Sequence, residues 1–206
     1  MVSVLLPSRN RSAMCEKSIH TLGSKDVEIL IYVDYNDPDL ASYILLGNDF
    51  TTIVIGPRYT YKKLHEYYNL LSKMAKGDWL MLWNDDAEML TYNWTDKLPA
   101  VDKPMVVNFN ENPLDNLFPI ISRQMYETMG HFSLSPHNDS WVQDIANELG
   151  IHTYIPGVQV KHLRDIIEDD TKKETQSAYS ETSPLHYSHD IQELMQIDIQ
   201  KIKEKL

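Results

Sequence analysis

Short apolar segments alternate with helical patterns four times within the first 84 residues, and this alternation leaves few possible folds. The predicted strands are Val2–Leu6, Val27–Val33, Thr52–Ile55 and Trp79–Trp83. The predicted helices between them are Ser12–Leu22, Pro38–Leu46 and Tyr61–Ala75. A chain with this pattern forms a mostly parallel sheet with helices on both faces. We therefore predict an α/β fold of the Rossmann-like type.

The elements predicted after residue 84 are shorter and less regular. The strands are Met105–Asn108, Pro119–Ser122, His152–Ile155 and Val158–His162, and the helices are Arg123–Met129 and Ser140–Leu149. From Asp165 to Asp190 the composition is polar with few aliphatic residues, which predicts a mobile loop. Ile191–Leu206 has an apolar helical face, and we expect this helix to dock on the domain or on a second subunit. Residues 1–164 are thus predicted to form one domain, followed by a C-terminal loop and helix over 165–206.

The overall composition excludes several classes of protein. The apolar fraction of 42% is ordinary for a globular domain, and the formal charge of −11 disfavours nucleic acid or an anionic membrane surface as the main partner. The chain has one cysteine, Cys15, and therefore forms no intrachain disulfide. No stretch approaches the roughly 20 apolar residues of a spanning helix. These features predict a soluble, cytoplasmic protein.

Polar residues follow each of the four early strands, at the edge of a parallel sheet where ligands bind. After the fourth strand comes the cluster Asn84-Asp85-Asp86. Two adjacent carboxylates at the end of an apolar strand repel each other, and a divalent cation such as Mn²⁺ or Mg²⁺ relieves that repulsion. The alternative is a pair of acids that caps a helix or lies in solvent.

Two further residues could take part in such a site. His162 ends the last predicted strand, and imidazole is an acceptable ligand for Mn²⁺. Asp139 precedes the predicted helix at Ser140 and is either a functional acid or an N-terminal helix cap. A purely structural role for His162 is also open.

The order of these motifs resembles the family-2 glycosyltransferases of the small phage or bacterial type, over roughly Val2 to Arg164. VSVLLPSRNR resembles that family's first strand and turn, and Val33-Asp34 resembles the end of its second strand. Tyr68-Asn69, seven residues before Lys76-Gly77-Asp78, resembles the next conserved segment of the family. The remaining similar segments, in order, are Asn84-Asp85-Asp86, IISRQMYETMGHF, Asn138-Asp139 and Val160–His162.

The resemblance implies a GT-A fold for residues 1–164 and a metal-dependent transfer of a sugar from a nucleotide-sugar, with UDP-hexose expected, to a glycan or other hydroxyl acceptor, with inversion. It implies Asp139 as the catalytic base and Mn²⁺ or Mg²⁺ as the cofactor. The implied metal ligands are Asp85, Asp86 and His162. The implied nucleotide-binding residues are Pro7, Ser8, Arg9, Asp34, Asn69, Asn84 and Asp85.

The sequence departs from the family pattern at three positions. Asn84 stands where the family's metal motif begins with an acid, Asn138 replaces the acid before the expected base, and Tyr68 replaces an arginine. Two alternatives stay open, the first because of the departures at Asn84 and Asn138, and the second because it uses a similar α/β sheet and acid pair. One is a catalytically silent GT-A domain that binds a glycan or a protein, and the other is a nucleotidyltransferase. An oligomer that forms through the C-terminal helix is also open.

Overall fold

A central sheet with seven strands organises the protein, a computed structural model of which describes residues 1–23, 26–109, 117–164 and 166–206. The strands of the described residues are β1 (Val2–Pro7), β2 (Val27–Asp34), β3 (Thr51–Gly56), β4 (Trp79–Leu82), β5 (Ala87–Met89), β6 (Val106–Asn108), β7 (Ile120–Ser122), β8 (His152–Tyr154) and β9 (Val160–His162). The α-helices are α1 (Ser12–Thr21), α2 (Leu40–Ile44), α3 (Leu64–Met74), α4 (Arg123–Met129), α5 (Asn138–Leu149), α6 (Asp170–His186) and α7 (His189–Lys203). Short 3₁₀ turns cover Tyr61–Lys63 and Trp94–Lys97.

The first half of the sheet is parallel and has the order β3-β2-β1-β4. At its centre, Leu5 of β1 lies opposite Leu30 of β2 and Leu82 of β4. Val4 and Leu5 are fully buried, as continuous apolar strands covered on both faces must be. Parallel strands need crossover helices, and the right-handed crossover places α3 on the face opposite α1 and α2. The predicted α/β sheet with helices on both faces is therefore confirmed.

The connection out of β1 leads to β2 on one side, whereas β4 lies on the other side. This divergence is a topological switch point, where the loops after two neighbouring strands separate and leave a crevice at the carboxyl edge of the sheet. The loops after β1 and β4 carry the residues from Ser8 to Arg11 and the cluster Asn84-Asp85-Asp86. The fold thus brings these two sequence segments together.

The second half of the sheet is mixed. β7 runs antiparallel to both β4 and β6, and β8 runs parallel to β6. A separate two-stranded ribbon pairs β5 with β9 and sets Ala87 opposite His162. The sequence analysis did not predict β5, because three residues after a polar cluster give no periodic signal. This ribbon carries His162 to the end of β4.

The predicted loop from Asp165 to Asp190 is wrong for most of its length, since α6 spans Asp170–His186; Asp165 itself lies outside the described residues. The buried positions of α6 are Ala178, Thr182 and His186, four residues apart. Small and polar side chains on the inner face leave no apolar pattern in the sequence. Ion pairs and an N-terminal cap stabilise the helix instead, with the side chain of Asp169 accepting a 2.7 Å hydrogen bond from the backbone N–H of Lys172.

The C-terminal helix forms as predicted, although it ends at Lys203 rather than Leu206. It packs against α4 and α5 and buries Met195, Ile199 and Ile202. The helix therefore docks on its own domain. Within the described parts of the chain, no helix is long and apolar enough to cross a membrane.

Candidate active site

One cavity of about 670 Å³ opens at the carboxyl edge of the sheet. Its volume lies in the range typical of small-molecule sites. The predicted site residues that line it are Pro7, Ser8, Arg9, Asp34, Asn84, Asp85, Asp86, Asp139 and His162. The structure thus gathers residues that are up to 155 positions apart in the chain into one cavity.

The turn after β1 depends on Asn10, which has a φ of 53°. Asparagine tolerates this left-handed conformation better than most residues. Its backbone N–H donates a 2.9 Å hydrogen bond to the carboxylate of Asp37. The turn sends the side chains of Arg9 and Arg11 to different parts of the cavity.

Asp34 forms the part of the cavity beside β2 and is almost fully buried. One carboxylate oxygen accepts a 2.8 Å hydrogen bond from Arg9, and the other accepts a 3.0 Å hydrogen bond from the hydroxyl of Tyr67. Nε of Arg58 lies 3.8 Å from Oδ2 of Asp34. Burial raises the pKa of Asp34 above its ordinary value, against the opposing effects of Tyr67 and the two arginines. The result is a charged, hydrogen-bonding recess.

Aromatic rings border this recess. The rings of Tyr32 and Tyr67 have centroids 4.7 Å apart, and those of Tyr59 and Tyr67 are 5.3 Å apart. Both pairs meet edge to face, a favourable arrangement for aromatic side chains. The recess thus combines aromatic side chains with an acid and two arginines.

Asp85 is held rigidly at the centre of the cavity. Its carboxylate accepts a 2.7 Å hydrogen bond from Ser8 and a 3.1 Å hydrogen bond from Nη1 of Arg11. Ser8 in turn is hydrogen-bonded to the hydroxyl of Tyr43 at 2.7 Å. Burial raises the pKa of Asp85 to about 6, and the neighbouring charge of Asp86 acts in the same direction.

Asp86 points the other way, toward the ribbon of β5 and β9. Its Oδ1 lies 3.0 Å from Nε2 of His162, and its backbone carbonyl accepts a 2.8 Å hydrogen bond from the N–H of Leu163. Two ligands that bind one Mg²⁺ ion at right angles, at 2.0–2.1 Å, are themselves about 3 Å apart. The Asp86–His162 pair is hydrogen-bonded in this structure, and the same spacing matches two adjacent ligand positions of a divalent ion, with Mn²⁺ suited to the imidazole.

The three predicted metal ligands do not form one group. Across the described ranges, no three His, Cys, Asp or Glu side chains are grouped so that they could hold a metal ion. Asp85 turns instead to Ser8 and Arg11, and Asn84 lines the cavity with a neutral side chain. A metal at this position would have two protein ligands, and phosphate oxygens or water would complete its coordination.

Asp139 is the second residue of α5, which begins two residues earlier than predicted. Burial raises the pKa of its carboxylate above the ordinary value, against the opposing effect of the backbone N–H groups at the start of the helix. Burial raises the pKa values of Tyr61 and Tyr68, and the charge of Asp139 acts in the same direction on both. Both tyrosines also line the cavity, where the hydroxyl of Tyr68 donates a 3.3 Å hydrogen bond to the carbonyl of Trp83.

The structure does not bring Asn69 to the cavity lining. Its amide oxygen accepts hydrogen bonds from the backbone N–H groups of Phe132 and Ser133, at 2.7 and 3.2 Å. Its amide nitrogen donates to the carbonyl of Ser133 at 2.8 Å. Asn69 therefore organises the turn before α5 and lies outside the cavity lining.

Sequence reasoning missed several residues of the cavity. Arg11 lies only two positions after Arg9, and Arg58 lies two positions after the end of β3, so position after a strand was the signal that could have identified them. Both contact residues near the beginning of α6: Arg11 binds Asp169, and Arg58 binds Glu174 at 2.6 Å. The polar sequence of α6 carried no comparable signal.

Comparison with known proteins identifies the fold. No protein-family model matches the sequence, and no curated protein matches it. Solved structures do match, among them a mannosyltransferase from Pyrobaculum calidifontis in complex with GDP-Man and Mn²⁺. It is 12% identical with a TM-score of 0.60, over 98% of this chain and 86% of that one.

Two further structures agree. TarS of S. aureus (residues 1–349, with UDP) is 11% identical with a TM-score of 0.59, over 90% of this chain and 71% of that one. Glucosyl-3-phosphoglycerate synthase from Mycobacterium tuberculosis, with Mg²⁺ and UDP, is 14% identical with a TM-score of 0.52. The match covers 89% of this chain and 79% of that one. The chain therefore has the predicted GT-A fold of these proteins.

Proposed function

We propose that this protein is a metal-dependent glycosyltransferase that moves a hexose from a nucleotide-sugar, UDP-hexose in the first instance, to an acceptor hydroxyl with inversion. The observation that carries the proposal is the Asp86–His162 pair, 3.0 Å apart, in the same cavity as Asp34 and Asp139. A recess for the nucleotide, a pair of metal ligands and an acid are the three parts that such a reaction requires.

The nucleotide would bind at the carboxyl ends of β1 and β2. Asp34 and Arg9 would bind the polar edge of the base, with Pro7 and Ser8 along one side. Nucleotides accompany all three similar structures, as GDP-Man in one and UDP in two. UDP is the first choice because Asp34 stands where the resembled family contacts uracil.

Asp86 and His162 would hold Mn²⁺ or Mg²⁺ beside the diphosphate. The ion supplies positive charge that stabilises the departing nucleoside diphosphate. Asp85 would keep Ser8 and Arg11 in place around it, and Asn84 would offer a neutral oxygen to the donor. Arg11 has a single positive charge against three carboxylates, those of Asp85, Asp86 and Asp169, which leaves negative charge for a divalent ion to balance.

Asp139 would act as the general base. Its carboxylate would take the proton from the acceptor hydroxyl as that oxygen forms a bond to the anomeric carbon of the sugar. The bond between the sugar and the diphosphate breaks at the same time, and the nucleoside diphosphate leaves with the electron pair. Attack from the face opposite the leaving group inverts the configuration. Helix α6 lines the cavity with Thr171, Lys172 and Tyr179, and would exclude water from the reacting sugar.

The proposal is tested with a panel of UDP- and GDP-sugars, each with Mn²⁺ or with a chelator. Thermal shift reports binding, and the released product reports the reaction. We expect metal-dependent release of a nucleoside diphosphate in the wild type, with release lost in Asp86→Asn and retained in the control Asp96→Asn, which lies in the Trp94–Lys97 turn outside the cavity. Release of pyrophosphate would indicate nucleotidyl transfer instead.

A catalytically silent GT-A domain is the second candidate, and the position of Arg11 favours it. The guanidinium lies 3.1 Å from Asp85 and 3.8 Å from Asp86, so part of the acidic charge is already neutralised without a metal. Asn84 also removes one acid from the cluster. Thermal stabilisation by a nucleotide-sugar without release of any product would support this candidate over the transferase.

A further inference from the structure

The orientation of Asp139 depends on the turn that precedes it. The residue before α5 is His137, whose side chain makes no capping hydrogen bond to the helix. Asp139 follows only two positions later, in the first turn of α5. The turn formed by residues 132–137 therefore leads directly into the residue that carries the proposed base.

Hydrogen bonds within the turn hold its first half. The hydroxyl of Ser133 donates a 2.8 Å hydrogen bond to the carbonyl of Ser135 and accepts a 3.0 Å bond from the N–H of the same residue. Asn69 holds Phe132 and Ser133 from outside, as described above. The second half of the turn is held by a residue that lies about 50 positions away in sequence.

That residue is His186, in the last turn of α6. Its Nδ1 lies 2.8 Å from the hydroxyl of Ser135, and its Nε2 lies 3.2 Å from a carboxylate oxygen of Asp144. His186 is 1% exposed and Ser135 is fully buried. A neutral imidazole that donates from Nε2 to Asp144 and accepts at Nδ1 from Ser135 satisfies all three groups. Ser135 can then accept the backbone N–H of His137, 3.3 Å away.

A serine, a histidine and an aspartate in hydrogen-bonded order also occur in hydrolases. Here the serine has no access to substrate. Its hydroxyl is buried, and neither Ser135 nor His186 lines the cavity. Burial therefore favours a structural role, in which the three side chains form a chain of hydrogen bonds that ends at the turn before α5.

From these contacts we infer that His186 is a positioning residue, which holds Ser135 and Asp144 and thereby fixes the carboxylate of Asp139 in the cavity. The inference rests on the proposed role of Asp139. It also gives α6 a function besides covering the cavity, because the same helix contacts the turn a second time. Thr182 lies 3.1 Å from Nε2 of His137, so two residues one helical turn apart hold the turn.

The first test uses hydrogen exchange on the full chain and does not require activity. In His186→Gln, backbone amides of residues 133–140 should exchange roughly 2- to 10-fold faster, the factor that corresponds to the loss of one hydrogen bond. Ser135→Ala, which leaves the contact between His186 and Asp144 intact, should have a similar effect. The control is His189→Gln, a neighbouring histidine that is 80% exposed at the start of α7. Unchanged exchange in both His186→Gln and Ser135→Ala would overturn the inference.

The second test is a double-mutant cycle on turnover. We expect His186→Gln to lower kcat by between about 10-fold and 10²-fold, the cost of a small misplacement, with the KM for the donor unchanged. If His186 acts through Asp139, adding His186→Gln to Asp139→Asn should cause no further loss. Independent, multiplying losses would contradict the positioning role. A wild type that releases no nucleoside diphosphate would instead refute the proposed function, and the exchange result would still decide whether His186 fixes the turn.

Discussion

Arg11 donates two hydrogen bonds to the carboxylate of Asp169, one from Nε and one from Nη2, and both are 2.7 Å long. Its remaining nitrogen, Nη1, lies 3.1 Å from Asp85. One guanidinium thus joins the acid cluster at the end of β4 to the beginning of α6. Burial alone would lower the pKa of Arg11, but its bonds to Asp169 and Asp85 raise it overall, so Arg11 stays charged.

Removing Arg11 should destabilise the fold strongly. Arg11→Ala leaves Asp85 buried without its cation, and loss of one partner of a buried ion pair typically costs about 3–5 kcal/mol. Arg11→Lys should recover only part of this, because an ammonium group cannot form the two-pronged contact with Asp169. Urea unfolding measures both variants. Asp169→Asn is the matched comparison, since Asp169 is 33% exposed and its loss should cost about 1 kcal/mol or less.

Mn²⁺ binding should depend on His162. In His162→Ala only Asp86 remains of the pair, and we expect the affinity for Mn²⁺ in the presence of UDP to fall by at least about tenfold, the scale seen when a metal site is disturbed. Isothermal titration or the electron paramagnetic resonance signal of Mn²⁺ measures the affinity. Lys161→Ala is the control, because Lys161 precedes His162 on β9 with its side chain 54% exposed. Equal affinity in His162→Ala and the wild type would remove His162 from the metal site.

The parallel half of the fold could be predicted because its strands are continuous apolar runs separated by helical patterns. Asp34, Asp85 and Asp86 could also be placed, since each follows a strand and the carboxyl ends of parallel strands share one edge. Sequence position does not determine where a side chain points. Asp85 and Asp86 are adjacent, yet one contacts Ser8 and the other contacts His162.

The parts that could not be predicted depend on contacts between distant residues. Helix α6 buries Ala178, Thr182 and His186, which resemble loop residues in sequence. They become a buried helix face only through contacts with distant residues, such as those of Thr182 with His137 and of His186 with Ser135. Asn69 is similar, because its amide binds backbone groups more than 60 positions away. Local patterns contain no information on such partners.

Asp139→Asn should lower kcat by about 10²–10⁴-fold, the usual contribution of a positioned base, while donor binding stays nearly intact. The pH profile provides a separate check. Burial raises the pKa of Asp139, and a base works only when it is deprotonated. As the pH is lowered, kcat of the wild type should therefore begin to fall at a pH above the ordinary aspartate pKa of about 3.9. Asp190→Asn, at a side chain that is 98% exposed, should leave both rate and profile unchanged. Full activity in Asp139→Asn would eliminate Asp139 as the base.

His137 should make the stability of the fold depend on pH. Burial lowers the pKa of His137 in the folded protein, and the nearby His186 lowers it further. The unfolded chain, with a histidine pKa of about 6.5, therefore binds a proton more readily than the folded chain does. The stabilisation that comes from neutral His137 is complete above the pKa of the unfolded chain and is lost as the pH falls below it toward the lower pKa of the folded protein.

The test compares the free energy of unfolding of the wild type with that of His137→Gln. The wild-type value minus the variant value should decrease as the pH is lowered from about 7.5 to about 5.5, as urea titrations at each pH will show. His189→Gln, at a side chain that is 80% exposed, is measured alongside as the control. A flat difference for His137→Gln would mean that His137 titrates alike in both states.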